Sequence, residues 1–277
     1  KTISIASESE HIPFAVFKIT GVMRFALLEK LNNNEVLTEE EEKEYERAYK
    51  RINAICKKGF NLKVPVMIDA EESWIQDAID RIVEEMMSKY NKQIALIYNT
   101  VQMYRHDRLD YVKKTHERSK DNGFFIGLKV VRGAYMEKER ERAIEKGYES
   151  PIQPNKDATD KDYNLALEYC AANQAGINIC AGTHNEYSSL YLTQLLETHN
   201  IDKLNSSVYF AQLLGMSDHI SFNLSEEHYN VVKYVPFGPV KDVMPYLIRR
   251  ADENTSISGQ SSRELLLLKK EMKRRGL

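Results

Sequence analysis

Tyr234-Val-Pro-Phe-Gly-Pro-Val-Lys-Asp-Val-Met-Pro-Tyr-Leu-Ile-Arg-Arg-Ala-Asp-Glu-Asn254 reads as the end of a strand, a tight turn and a helix. Gly238 stands where an N-cap belongs. Pro239 takes the first helical position, where a missing N–H is harmless. Val240, Val243, Met244, Leu247, Ile248 and Ala251 recur at the spacing of a buried helix face. Asp242, Tyr246, Arg249 and Glu253 fall on the opposite side, with Arg250 at its edge. Two adjacent guanidinium groups beside a phenol and a carboxylate suit a small carboxylate ligand, because arginine binds carboxylates bidentately and keeps its charge. The same residues also suit a solvated face in which Glu253 pairs with Arg249 and Arg250 along the helix.

The strand–turn–helix unit recurs along the chain. Strands are expected at Phe14 to Ile19, Val64 to Ile68, Ile94 to Tyr98, Phe125 to Val131, Ile177 to Ala181, Val208 to Gln212 and Val231 to Val235. Helices are expected between them, including one opened by the capping-box pattern Thr38-Glu39-Glu40-Glu41. Others run from Ser73 to Tyr90, Arg108 to Asn122, Met136 to Lys146, Asp160 to Ala175 and Glu186 to Thr198, and a basic amphipathic helix spans Arg263 to Arg275. Alternation of this kind means parallel strands with crossover helices. No Gly-x-Gly-x-x-Gly follows a strand, which disfavours a doubly wound dinucleotide fold and leaves a (β/α)8 barrel of the TIM type. Such a barrel needs an eighth strand, upstream of Lys1 or in Thr2 to Ala6. Residues 1–277 read as one barrel domain, without a composition break or internal repeat.

Composition narrows the function classes. The 277 residues are 42% hydrophobic and 29% charged, with a formal net charge of −2, so no broad electrostatic bias toward nucleic acid or an anionic membrane exists. The three cysteines have neither metal-ligand spacing nor an even count, consistent with a reducing compartment. No run of about 18 apolar residues and no signal peptide is visible. The chain opens on Lys rather than Met, which reads as a fragment, a processed form or a trimmed chain.

The chemistry of a barrel gathers at the carboxyl ends of its strands. Those positions hold Lys18 and Thr20; Asp69, Glu71 and Glu72; Asn99 and Gln102; Lys129, Arg132 and Tyr135; Thr183, His184 and Asn185; Gln212; and Tyr234. Each has a structural explanation singly, such as a helix cap for Asp69 or Thr183. Repeated at nearly every strand end, they point to one ligand-binding mouth. Metal-ligand spacing is absent, as is a Gly-x-Ser-x-Gly elbow. The cations Lys18, Lys129, Arg132, Arg249 and Arg250 suggest anionic ligands, namely a phosphate-bearing cofactor and a carboxylate substrate.

Eight segments carry a family resemblance: Phe17-Lys-Ile-Thr-Gly21, Met67-Ile-Asp-Ala-Glu71, Tyr98-Asn-Thr-Val-Gln-Met-Tyr104, Leu128-Lys-Val-Val-Arg-Gly-Ala-Tyr135, Gly182-Thr-His-Asn185, Gln212-Leu-Leu-Gly-Met216, Lys233-Tyr-Val-Pro-Phe-Gly238 and Tyr246-Leu-Ile-Arg-Arg-Ala-Asp-Glu-Asn254. In this order they resemble the proline dehydrogenases, monofunctional flavin enzymes that oxidise L-proline. The resemblance implies a (β/α)8 barrel with the last barrel helix over the mouth, and FAD held non-covalently at the strand ends. By the same resemblance Ala70, Gln102, Lys129, Arg132, Gly133, Ala134, Tyr135, Thr183, His184 and Asn185 would contact the cofactor. Lys18, Arg249 and Arg250 would bind the proline carboxylate; Tyr135, Leu213, Tyr234 and Tyr246 would wall the ring; and Glu253 would brace the arginines. Asp69 and Lys129 would be the catalytic positions. Lys129 and Arg132 stand in the order opposite to that of many bacterial members, resembling the eukaryotic type. The implied reaction is hydride loss from proline C5 to give Δ1-pyrroline-5-carboxylate, with electrons passed to a membrane quinone. The implied location is cytoplasmic at the inner face of a membrane, or mitochondrial for a eukaryotic source. Alternatives are a 4-hydroxyproline dehydrogenase, disfavoured by Tyr234, and a catalytically silent barrel that acts as a binding module. For Arg263 to Arg275, a helix that packs over the barrel is preferred to a membrane-contacting one.

Overall fold

A computed structural model describes the chain except residues 237, 242, 245, 246, 249–259 and 277, and except the side chains of 260–264. The elements run α1 (Thr2–Ser7), β1 (Ala15–Phe17), α2 (Phe25–Asn32), α3 (Glu39–Leu62), β2 (Val66–Ile68), α4 (Ser73–Tyr90), β3 (Ile97–Gln102), α5 (Arg108–Asn122), β4 (Ile126–Val131), α6 (Met136–Lys146), α7 (Lys156–Ala172), β5 (Ile177–Gly182), α8 (Glu186–Thr198), β6 (Val208–Leu213), α9 (Asp218–Glu226), β7 (Val231–Tyr234) and α10 (Gln260–Arg275). The strands form one parallel sheet in sequence order. The capping box works as read: the Glu41 amide donates to Thr38 Oγ1 at 3.3 Å and the Thr38 amide to Glu41 Oε2 at 3.0 Å. Four glutamates in the first turn of α3 suit the positive end of its dipole.

The sheet is curled. Its outer face carries Ile68, Ile97, Leu128, Val130, Ile179 and Phe210 into a large core shared with the helices. Its other face holds a second cluster of Met67, Ala95, Tyr98 and Cys180, packed by Phe14, Val16, Tyr209, Ala211 and Val232. Phe14 flanks β1, yet its ring lies edge-on to Tyr98 of β3 at 5.5 Å and to Tyr209 of β6 at 4.8 Å. In a flat sheet β1 and β6 would be five strand spacings, roughly 24 Å, apart. Only a sheet rolled around the inner cluster brings them into ring contact.

Several expectations are corrected. Thr2 to Ala6 is helical and supplies no strand. Among the described residues the parallel sheet has seven strands, with no pairing of β7 with β1, and together with its helices it makes a curled α/β half-barrel. The third strand is Ile97–Gln102, not Ile94 to Tyr98. The Asn91 side chain accepts from the amides of Leu96 and Ile97 at 2.9 and 2.8 Å, so a side chain holds the segment before pairing begins. The helix α9 was not anticipated, and α7 starts earlier than Asp160. Val240, Met244, Leu247 and Ile248 are helical but exposed, by 43 to 76%. Periodicity identifies an apolar face; it does not say what covers it. Leu265, Leu266, Leu267 and Leu268 of α10 are likewise exposed, against the packing-helix reading.

The three cysteines are free and buried, and burial pushes each thiol up to about 12. The thiolate is the reactive form. Native protein near neutral pH is therefore expected to resist a thiol reagent until denatured, when all three sites react; fast labelling before unfolding contradicts this packing.

Candidate active site at the strand ends

Side chains alternate between the two faces of each strand. On β4, Ile126, Leu128 and Val130 go to the helices, which sends Lys129 to the inside. The inside is apolar in its lower layers and turns polar at the carboxyl ends of the strands. There the Lys129 ammonium pairs with Asp69 Oδ1, just beyond β2. The Tyr234 hydroxyl, at the end of β7, donates to Asp69 Oδ2 at 3.1 Å. The same ammonium sits 5.3 Å from the centre of the Tyr234 ring. Lys18, beyond β1, donates to Tyr135 Oη at 3.2 Å and reaches the Ala70 carbonyl at 3.5 Å. Five of the anticipated residues therefore converge: Lys18, Asp69, Lys129, Tyr135 and Tyr234.

The electrostatics follow from the geometry. Burial alone would raise the Asp69 carboxyl, but Lys129 and Lys18, with the hydrogen bonds from Lys129 and Tyr234, outweigh it and hold it below the ordinary value. Burial would lower the Lys18 ammonium; Asp69, Tyr135 and Glu71 outweigh that and raise it. For Glu71 burial wins over its hydrogen bonds to Thr20 and over Lys18, and its carboxyl is raised.

Gln102 bridges two strand ends. Its Nε2 donates to the Glu71 carbonyl at 2.8 Å and its Oε1 accepts from the Ala134 amide at 3.3 Å. Gly133 has φ +140°, and a Cβ there would lie 2.5 Å from the Tyr104 ring. Only glycine fits on both counts. The main chain of Gly133 and Ala134 is left exposed at the mouth. Leu213 pairs in register with Tyr234 and is half-buried.

Other residues face the helices instead. Arg132 donates from Nε to Asp160 Oδ1 at 2.6 Å, from Nη1 to Thr183 Oγ1 at 2.6 Å and from Nη2 to Ser188 Oγ at 2.9 Å, and its guanidinium lies 4.3 Å from the Tyr163 ring centre. Asp160, Tyr163 and Ser188 were missed by sequence reasoning. Their one signal was the Lys156–Asp160 spacing, which forms an ion pair. Thr183 Oγ1 also accepts from the Asn185 amide at 3.0 Å, Asn185 Oδ1 caps α8 by accepting from Ser188 at 3.0 Å, and His184 Nδ1 lies 3.0 Å from Ser217 Oγ. Asn99 does not reach the mouth: it donates to Asp80 and Tyr111 under the helices. Gln212 is similarly held between the Thr183 carbonyl and Ser221. Tyr246, Arg249, Arg250 and Glu253 lie outside the described residues. Among the described residues no cluster of three or more His, Cys, Asp or Glu is placed to hold a metal ion.

The family model for "Proline dehydrogenase" matches residues 3–263. The chain belongs to the proline dehydrogenase family. It is 35% identical to proline dehydrogenase 1, mitochondrial, of Dictyostelium discoideum over 99% of its own length and 56% of that protein. It is 42% identical to the human protein of the same name over 86% of its length and 40% of that protein. A hydroxyproline dehydrogenase of Xenopus laevis is 37% identical over 86% of the chain and 52% of that protein. The chain thus spans about half the length of these curated relatives. Proline utilization A from Bdellovibrio bacteriovorus shares the fold, with a TM-score of 0.76 at 23% identity, over 88% of this chain and 24% of that one.

The Lys129–Asp69 pair is nearly buried, so removing one partner strands a charge. Lys129→Met is expected to destabilise the protein by about 3–5 kcal/mol, and Lys129→Met with Asp69→Asn by less. Because the Asp69 carboxyl is lowered, its stabilisation is present above its unfolded value and is lost as pH falls through the folded one. Asp69→Asn should therefore weaken the acid limb of a urea-unfolding series; an unchanged limb contradicts the assignment.

Proposed function

We propose that this chain is an FAD-dependent proline dehydrogenase, oxidising L-proline to Δ1-pyrroline-5-carboxylate with a quinone as final acceptor. The supporting observation is the convergence of Lys18, Asp69, Lys129, Tyr135 and Tyr234 at the strand ends of a family member. The residues suit a flavin. The Gly133–Ala134 main chain is exposed, carries nothing larger than a methyl group and is fixed by Gln102, so a planar ring can approach it. Ala70, Gln102, Lys129, Arg132, Gly133, Ala134, Tyr135, Thr183, His184 and Asn185 would hold the cofactor. When bound, the flavin supplies the hydride acceptor.

The protein's own part is placement and charge. Lys18, with Arg249 and Arg250, would bind the proline carboxylate, and Tyr135, Leu213, Tyr234 and Tyr246 would exclude water around the ring, with Glu253 bracing the arginines. Asp69 is held ionised by two ammonium groups, which makes it a weak base; it orients Lys129 and Tyr234 rather than taking a proton. Proline must bind or become neutral at nitrogen to lose hydride, so turnover should rise with pH through one proton-loss step. Tyr234, anchored to Asp69, would fill the space a ring hydroxyl needs, which would favour proline over 4-hydroxyproline. One domain closed as a (β/α)8 barrel, with the last barrel helix over the mouth, completes this reading. The relatives' mitochondrial names suggest that compartment for a eukaryotic source. No described helix is long and apolar enough to cross a membrane. Contact with a quinone pool would run through the exposed leucines and basic end of α10.

A purified sample should show a flavin spectrum that bleaches with proline and much less with trans-4-hydroxyproline. Bleaching by neither sinks the reading, and a hydroxyproline preference transfers it to that branch. Arg249→Met should raise the proline KM at least about tenfold, on the order of 1.4 kcal/mol; an unchanged KM removes Arg249 from the clamp. Liposome flotation should be lost when residues 260–277 are deleted; equal flotation removes the membrane role from this segment.

A further inference from the structure

Three carboxylates follow β2 within four residues, and each is used differently. Asp69 turns inward to Lys129 and Tyr234. Glu72 turns outward to Lys138 of α6 at 2.5 Å. Glu71, only 4% exposed, turns sideways to the segment after β1: its Oε1 accepts from the Thr20 amide at 3.1 Å and its Oε2 from the Thr20 hydroxyl at 2.5 Å. It is not spent on capping α4, because Glu139 does that, accepting from the Ser73 amide at 2.7 Å and the Ser73 hydroxyl at 2.6 Å. The Glu71 main chain is pinned as well. Its amide donates to Gln76 Oε1 at 2.7 Å, with Gln76 Nε2 in turn on Asp80 at 2.8 Å, and its carbonyl accepts from Gln102.

We infer that Glu71 is a positioning residue that sets Lys18 and the Gln102–Ala134 rim in one frame. Thr20 lies two residues after Lys18, and the turn between them is closed by the Gly21 amide on the Lys18 carbonyl at 3.0 Å. Two hydrogen bonds from one rigid acceptor fix that turn against β2. They thereby set where the Lys18 ammonium stands relative to Ala70, Tyr135 and Asp69. A buried carboxylate is retained only where its oxygens are used, and both Glu71 oxygens go to this turn. Glutamine is the mild replacement, because its carbonyl can accept from the Thr20 amide while its NH2 donates to the Thr20 hydroxyl oxygen, whereas Glu71→Met removes both contacts.

This inference rests on the proposed function for its kinetic readout but not for its geometric one. Hydrogen exchange of the 17–22 segment, measured without proline, should accelerate in Glu71→Met and in Thr20→Val while segments in α3 and α5 keep wild-type rates. With proline as substrate, each variant should raise KM about fivefold, as loss of one such hydrogen bond allows. The effect on kcat should be smaller, and the double variant should be no worse than Glu71→Met alone. Unchanged exchange at 17–22 in both variants overturns the inference whatever the wild type does with proline. A uniform rise in exchange with a lowered Tm and wild-type KM also overturns it, since that is a purely structural role. A wild type that ignores proline defeats the proposed function instead, and local acceleration at 17–22 would then still support the placement of Lys18.

Discussion

One carboxylate joins opposite ends of the sheet. Asp69 stands beyond the second strand, and its oxygens hold an ammonium from the fourth and a phenol from the seventh. Strands two and seven are five places apart in the order, so this contact exists only because the sheet is rolled. The inner aromatic cluster below it, Phe14 with Tyr98 and Tyr209, supplies the apolar filling that makes rolling favourable. The charged layer lies above it, at the carboxyl ends of the strands. The boundary between the layers is what places the site.

Charge at the mouth is balanced more closely than the sequence suggests. Lys129 has Asp69, Arg132 has Asp160, and Lys18 faces Asp69 and Glu71. Among the described residues these cations are therefore largely matched by carboxylates, which holds the charges in fixed positions. Preorganisation of this kind is what makes electrostatic stabilisation effective in a shielded site.

Much of the fold was legible because it depends on local rules. The capping box at Thr38, the alternation on Leu128-Lys129-Val130, and the succession of strand and helix all leave short-range signatures. The strand-end rule also brought Lys18, Asp69, Lys129, Tyr135 and Tyr234 together without coordinates. What failed was long-range or concerned faces. Asn99 and Gln212 sit at strand ends but on the parity that points to the helices, so proximity in sequence misassigned where their side chains go. Asp160 and Ser188 are distant partners of Arg132, and nothing near Arg132 announces them. The apolar faces of the segment from Val240 to Ile248 and of α10 were legible, whereas their covering was not, because a helical period carries no information about a partner.

Under the proposed function this mouth would remove hydride from a proline ring held by fixed charges. Rapid mixing of the purified protein with ordinary proline and with proline deuterated at C5 tests it most directly, following the flavin absorbance through a single turnover. Bleaching is expected with both and should be slower with the deuterated ring. Bleaching at equal rates with a saturating substrate, or no bleaching by a sample that carries flavin, would contradict it.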